Sequence, residues 1–130
     1  YKADQMEGAW TCLHDDGTKS REENWRNGRR DGVWKIYDDK GSRVVQQQQY
    51  RQNTPDGTWT TWHPNGQKAT EEVYLEGQRH GPQSSWYVDG KQRVTVEVRN
   101  GRQHGKMIQW NSAGKKISER NFRDGEQVDH

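Results

Sequence analysis

Large hydrophobic residues recur along this chain in step with glycine. Counted from Gly8, Gly32, Gly57, Gly81 and Gly105, the residue two places on is Trp10, Trp34, Trp59, Gln83 or Met107. Five places on stand Leu13, Tyr37, Trp62, Trp86 and Trp110. Seventeen places on stand Trp25, Tyr74, Val98 and Phe122, with Tyr50 displaced by one extra residue in the second unit. The leading glycines are 24, 25, 24 and 24 residues apart. A second glycine follows nine residues later in every unit, and a third eleven residues after that in four units, which accounts for all 14 glycines. The second unit carries Asn53, Thr54 and Pro55 where the third glycine is missing. A fixed period of this length is the signature of a repeat architecture.

Each unit reads as a β-hairpin. "GTWTTWH" is rich in Thr and aromatics, as strands are. "PNG", "VDG" and "DDG" are turns whose glycine supplies positive φ. "KATEEVYLEG" is the returning strand, and "RNGRRDG", "LEGQRHG" and "RNGRQHG" lead into the next hairpin. No stretch sustains a helical period. The expected fold is therefore all-β. Five tandem hairpins would give about ten strands in one elongated, twisted or rolled antiparallel sheet. Residues 1–130 read as a single repeat domain with no linker. Side chains alternate faces along a strand, so Trp59 and Trp62 should point to opposite sides. One aromatic column then fills the inside of the sheet, and the other is free to be exposed or half-covered. The run Gln46 to Gln49 reads as a polar face of a returning strand.

Composition alone leans toward disorder, with 26% hydrophobic and 31% charged residues. Seven Trp and five Tyr change that picture, because each large ring buries much area. The net charge of +2 gives little electrostatic reason to expect nucleic acid as a partner. Cys12 is the single cysteine, so no internal disulfide can form. No apolar run approaches the roughly 20 residues that span a bilayer as a helix. The chain begins with Tyr1 rather than Met. This favours a processed, exported and periplasmic protein over a cytoplasmic one.

The pattern Gly-x-Trp-x-x-Trp/Tyr-x-x-Asn-Gly-x-Lys, followed by Glu-x-x-Tyr-x-x-Gly, resembles the MORN repeat in its bacterial variant. The resemblance runs from Gly8 to Gly125, and "GTWTTWHPNGQKATEEVYLEG" is its best unit. It implies a non-catalytic binding protein. Some members are thought to neutralise a cognate toxin as immunity proteins or antitoxins. Others are discussed as scaffolds that meet lipid, polysaccharide or several proteins. The motif residues themselves are scaffold residues, so the resemblance names no site.

The candidate partner-binding residues are therefore taken from the repeated positions. Trp62, Trp86 and Trp110 form a possible exposed aromatic ladder, and such residues dominate interface hot spots. Eleven places after each leading glycine stand Lys19, Arg43, Lys68, Gln92 and Lys116, expected along one edge of the sheet. Arg29, Arg30, Arg79 and Arg102 flank the other turns. Lys68, Arg79 and Arg102 are the basic residues assigned to the partner-binding set. An acidic protein surface suits both series, with anionic lipid as the alternative. His80 and His104 hold equivalent places, with Asp31 and Asp56 matching them, but no metal site is expected because further ligands are missing. His14 and His63 read as exposed turn residues. Cys12 near His14 lacks the third group a nucleophile needs. Glu22 with Glu23, and Glu71 with Glu72, point to opposite faces and make no catalytic dyad. Glu23 and Glu72 are expected to pair with cross-strand basic residues. No cofactor is expected and no enzyme activity. The expected partner is a protein, specifically a bacterial toxin or effector.

Overall fold

The structure, a computed structural model, describes residues 7–128. Five long hairpins run along the chain. They are β1 (Gly8–Leu13) with β2 (Lys19–Arg26), β4 (Gly32–Tyr37) with β5 (Val44–Arg51), and β7 (Gly57–Trp62) with β8 (Lys68–Leu75). The last two are β10 (Gly81–Trp86) with β11 (Gln92–Arg99), and β12 (Arg102–Trp110) with β13 (Lys116–Arg123). Short strands β3 (Arg29–Arg30), β6 (Thr54–Pro55), β9 (Gln78–Arg79) and β14 (Glu126–Val128) complete the set. All pairs are antiparallel and all 14 strands lie in one sheet, ordered β1-β2-β4-β5-β7-β8-β10-β11-β12-β13-β14, with β3, β6 and β9 paired off this path to β2, β5 and β8. The fold is all-β, with no helix among the described residues.

The strand count exceeds the ten expected because each return strand is followed by a two-residue turn and a short pairing. Asn27–Gly28, Glu76–Gly77, Asn100–Gly101 and Asp124–Gly125 all carry positive φ, as type I′ hairpin turns require. The chain folds back for two residues, as in Tyr74↔Arg79, and then kinks away into the next hairpin. Asn53 replaces the missing glycine of the second unit at φ 69°, since Asn tolerates the left-handed region. Its N–H bonds Arg30 O at 2.8 Å, the same bond that Gly77, Gly101 and Gly125 make to the preceding unit. At the kink itself glycine is required. Gly57 has φ 108°, and a Cβ there would lie 2.5 Å from Gln49 Oε1.

The sheet has a single layer, so its core is a lateral column of rings on one face. Trp25, Trp34, Tyr50, Trp59 and Tyr74 touch in sequence with centroids 5.1, 5.6, 5.2 and 5.2 Å apart, mostly edge to face. The column takes its members alternately from the second and seventeenth positions of successive units. Trp34 and Tyr50 are each only 8% exposed, although no side chain among the described residues is fully buried. The indoles also bind the neighbouring strand. Trp34 Nε1 donates to Asn24 O and Trp59 Nε1 to Gln49 O, both at 2.9 Å.

The fourth unit breaks the column and keeps the hydrogen bond. Gln83 stands where tryptophan stood, and its Nε2 donates to Val73 O at 3.1 Å. Its Oε1 is buried without a partner, and a hollow of 220 Å³ lined by Thr70, Glu72, Gln83, Val94 and Val96 lies beside it. Past this point the column positions are Val98, Met107 and Phe122.

Two stability changes are expected from this packing. Trp34→Ala removes the middle of the ring column and should cost about 3–5 kcal/mol in denaturant unfolding. Gln83→Trp should do the opposite, raising stability by about 1 kcal/mol, because it keeps an N–H donor, removes an orphaned acceptor and extends the column. A Gln83→Trp variant less stable than the parent would show that the column cannot accept a ring at this position.

Candidate functional site

The opposite face of the sheet carries the second aromatic series. Strand β7 alternates without interruption, so Trp59 sits in the ring column and Trp62 projects to the other side, as the odd spacing requires. The register shifts at the end of the hairpin, from Thr61↔Thr70 to Trp62↔Lys68, which leaves Ala69 as an extra residue on β8. That bulge turns Lys68 onto the face of Trp62 and Glu71. Equivalent shifts place Leu13 opposite Lys19, Tyr37 opposite Val44, Trp86 opposite Gln92 and Trp110 opposite Lys116. The basic series is therefore Lys19, Lys68 and Lys116, on alternate units. Arg43 is not part of it. The extra residue of the second unit lies in the turn, so Val44 takes the rung, while Arg43 leaves the sheet and donates Nη1 to Pro64 O.

Lys19 and Lys68 lean toward the next unit. Lys19 Nζ lies 5.4 Å from the ring centre of Tyr37, and Lys68 Nζ lies 5.8 Å from that of Trp86, within reach of a cation–π attraction. Lys68 also pairs with Glu71 at 2.8 Å and Lys116 with Glu119 at 2.6 Å. The Lys116 hydrogen bond, reinforced by Lys106, holds the Glu119 carboxyl below the usual range. Trp62, Lys68 and Trp86, with Gly66, Gln67 and Gly90, line a groove of 380 Å³. Trp62, Trp86 and Trp110 are all half-buried, which leaves each ring partly open to solvent. A second depression on this face, between Glu22, Asn24, Val33, Lys35 and Gln47, is polar and contains no ring.

The structure thus gathers four of the six candidate residues, Trp62, Trp86, Trp110 and Lys68, at the long-turn end of the sheet. Arg79 and Arg102 lie at the opposite, short-turn end. Arg79 is on the ring-column face, donating to the Tyr74 hydroxyl oxygen and paired with Glu72 at 2.7 Å, contacts that hold its guanidinium charged. Glu72 has the cross-strand basic partner expected of it. Glu23 has instead a partner two residues away on its own strand, Arg21 at 2.5 Å, and also accepts from Trp25 Nε1. Cys12 Sγ turns to Glu23 and Arg21 rather than to His14.

The histidines have structural roles that their spacing did not reveal. His63 is half-buried, and its Nε2 bonds Trp86 O at 2.8 Å. His14 Nε2 bonds Asp38 O at 3.0 Å, and Tyr87 OH donates to Trp110 O at 2.8 Å. One position in the first, third and fourth units therefore clasps the next unit's backbone, and His14 and His63 are not exposed turn residues. The recurrence of His, His and Tyr at this place is the signal that could have found it. At the short turns, His80 Nδ1 accepts from Asn100 N and His104 Nδ1 from Asp124 N, where Asp31 and Asp56 accept from Gln52 N and Glu76 N. Among the described residues no three His, Cys, Asp or Glu side chains gather as a metal site would.

Residues 55–76 match a family model described as MORN repeat variant. This segment, β6 to β8, is the unit closest to the consensus quoted above. No curated protein matches the chain. Fold and match together are those of a repeat module of the binding type.

The Tyr37 hydroxyl donates to Glu22 Oε1, and this bond raises its pKa above the ordinary tyrosine value. A raised folded-state pKa gives stability that is fully present below the unfolded value near pH 10. It is lost as pH rises through the folded value. Tyr37→Phe should therefore be less stable than the parent at neutral pH, and the gap should close in alkaline solution. A constant gap from pH 8 to 12 in chemical unfolding would show that the bond adds nothing.

Proposed function

We propose that this chain is a non-catalytic protein-binding module that occupies a bacterial toxin or effector as an immunity protein does. The half-open ladder of Trp62, Trp86 and Trp110 carries this reading. Packing of the sheet is supplied by the other column, so these rings are left partly exposed in a row, with Lys68 between two of them. Aromatic rings on a stiff surface bind at low conformational cost, because neither the backbone nor the rings have much freedom to lose. The toxin is the most specific partner class that the MORN resemblance suggests. A periplasmic, exported location accompanies it.

Co-expression with the product of the neighbouring gene tests the reading. A 1:1 complex that survives gel filtration and restores growth is the expected result. Trp62→Ala and Trp86→Ala should keep the fold, because the clasp between units uses the backbone carbonyl of Trp86 and not its ring. Each should weaken the complex by about 2 kcal/mol or more. Folded variants that bind as tightly as the parent would remove the ladder from the interface. Sedimentation with anionic vesicles, in the absence of any protein complex, would favour a lipid scaffold instead.

A further inference from the structure

The two ends of the hairpins carry different cations. Eight of the 12 arginines lie in the five short-turn segments, 26–31, 51–56, 75–80, 99–104 and 123–128, and no lysine does. Two of these turns have the same sequence, Arg-Asn-Gly-Arg, at residues 26–29 and 99–102. In each the arginines are direct cross-strand partners, Arg26↔Arg29 and Arg99↔Arg102. Like charges placed directly opposite destabilise a sheet. None of the four forms an ion pair among the described residues. Their contacts are with side chains other than carboxylates, Arg29 Nη1 with Gln52 Oε1 and Arg99 Nη1 with His104 Nε2, both at 3.5 Å. Glu7 is nearby, but its Oε1 accepts the Asn27 N–H. All four arginines are exposed.

The other short turns hold no such repulsion. Arg123 faces Glu126, an opposite charge. Arg51 faces Thr54 and lies 4.0 Å from Asp56, and the third turn presents Leu75 and Gln78 with Glu76 between them. The formal charge of the five turn tips is therefore +2, +1, −1, +2 and −1 along the edge.

We infer that the two Arg-Asn-Gly-Arg turns are carboxylate-binding forks for an acidic surface of a protein partner. A pair of planar guanidiniums suits bidentate carboxylate contacts, which lysine cannot make. The alternation of sign selects the partner class. Between the forks lie six strand steps, roughly 29 Å at ~4.8 Å per step. Over that span Glu76 interrupts the positive edge. A nucleic acid or a lipid surface presents continuous negative charge and would meet this carboxylate as well. A folded protein with two separate acidic clusters would not. The uncompensated arginines cost the free protein stability that a bound carboxylate restores.

This inference rests on the reading of the chain as a protein binder. The two fail separately, because the ladder is at the other end of the hairpins and its variants should leave the forks untouched. The probe is a fluorescent hexaglutamate peptide, followed by anisotropy at low salt. Arg29→Glu with Arg102→Glu converts both like-charge pairs into opposite-charge pairs. It should raise Tm and lower peptide affinity at least tenfold. Lys91→Glu with Lys115→Glu makes the same change in net charge at the long-turn end and should alter affinity less than twofold. Equal losses in the two double variants, or no binding of the peptide to the parent, would overturn the inference. So would fork-dependent binding of oligothymidylate or phosphatidylserine vesicles that is tighter than binding of the peptide.

Discussion

A sheet with one layer has no second sheet or helix to pack against, and this constraint shapes the whole molecule. Its apolar material must be buried sideways, between neighbouring strands, and only large flat rings reach far enough to do so. Trp25, Trp34, Tyr50, Trp59 and Tyr74 meet this requirement by touching, mostly edge to face, across five adjacent strands. Such contacts are worth about 0.5–1.5 kcal/mol each beyond area burial. A chain with few aliphatic residues can therefore still fold. The constraint also explains the leading glycines. Each lies opposite a column residue, as Gly32 opposite Tyr50 and Gly57 opposite Tyr74, where the chain must kink without a side chain.

Repetition allows the same contacts to close at both hairpin ends. At the short turns the N–H of Asn53, Gly77, Gly101 or Gly125 bonds a carbonyl of the preceding unit. At the long turns His14, His63 and Tyr87 bond a carbonyl of the following one. Units are thus tied only to their immediate neighbours, as expected of a quasi-one-dimensional protein. Local failure should then spread only to adjacent units. The fourth unit is the place to look for it, because Gln83 keeps the strand contact of the missing indole but not its ring.

Most of the fold was legible because glycine and tryptophan are hard to replace at their positions. The hairpins, their order and the opposite facing of Trp59 and Trp62 all follow from the period. What escaped the sequence depends on where a single residue is inserted or how a polar group is used. Arg43 matched Lys68 in spacing, yet the inserted residue lies in the turn and puts Val44 on the rung. His63 looked like a turn flank because its partner is a backbone carbonyl of the next unit, which leaves no mark in residue identities. Of the candidate site, the cluster of Trp62, Trp86, Trp110 and Lys68 was legible from repeated positions. The separation of Arg79 and Arg102 from it was not, since two basic series with the same period give no hint that they lie at opposite ends of the strands.

The division of labour between the two faces follows from the same packing constraint. Each unit has one position that must enter the ring column from the outgoing strand and one from the return strand. The remaining aromatic, five places after the leading glycine, falls on the other face, beside a row that is polar through the first four units: Glu22, Lys35, Gln47, Thr60, Glu71 and Ser84. An aromatic there cannot extend a core. A lysine of the preceding unit lies over it in one case, Lys68 over Trp86. Tryptophan retained at that place in three successive units is more ring than the fold uses. The arginines of the short turns are likewise more charge than the sheet neutralises. Both surpluses lie at the ends of the hairpins, where variation disturbs the column least and where a repeat protein can acquire a binding surface.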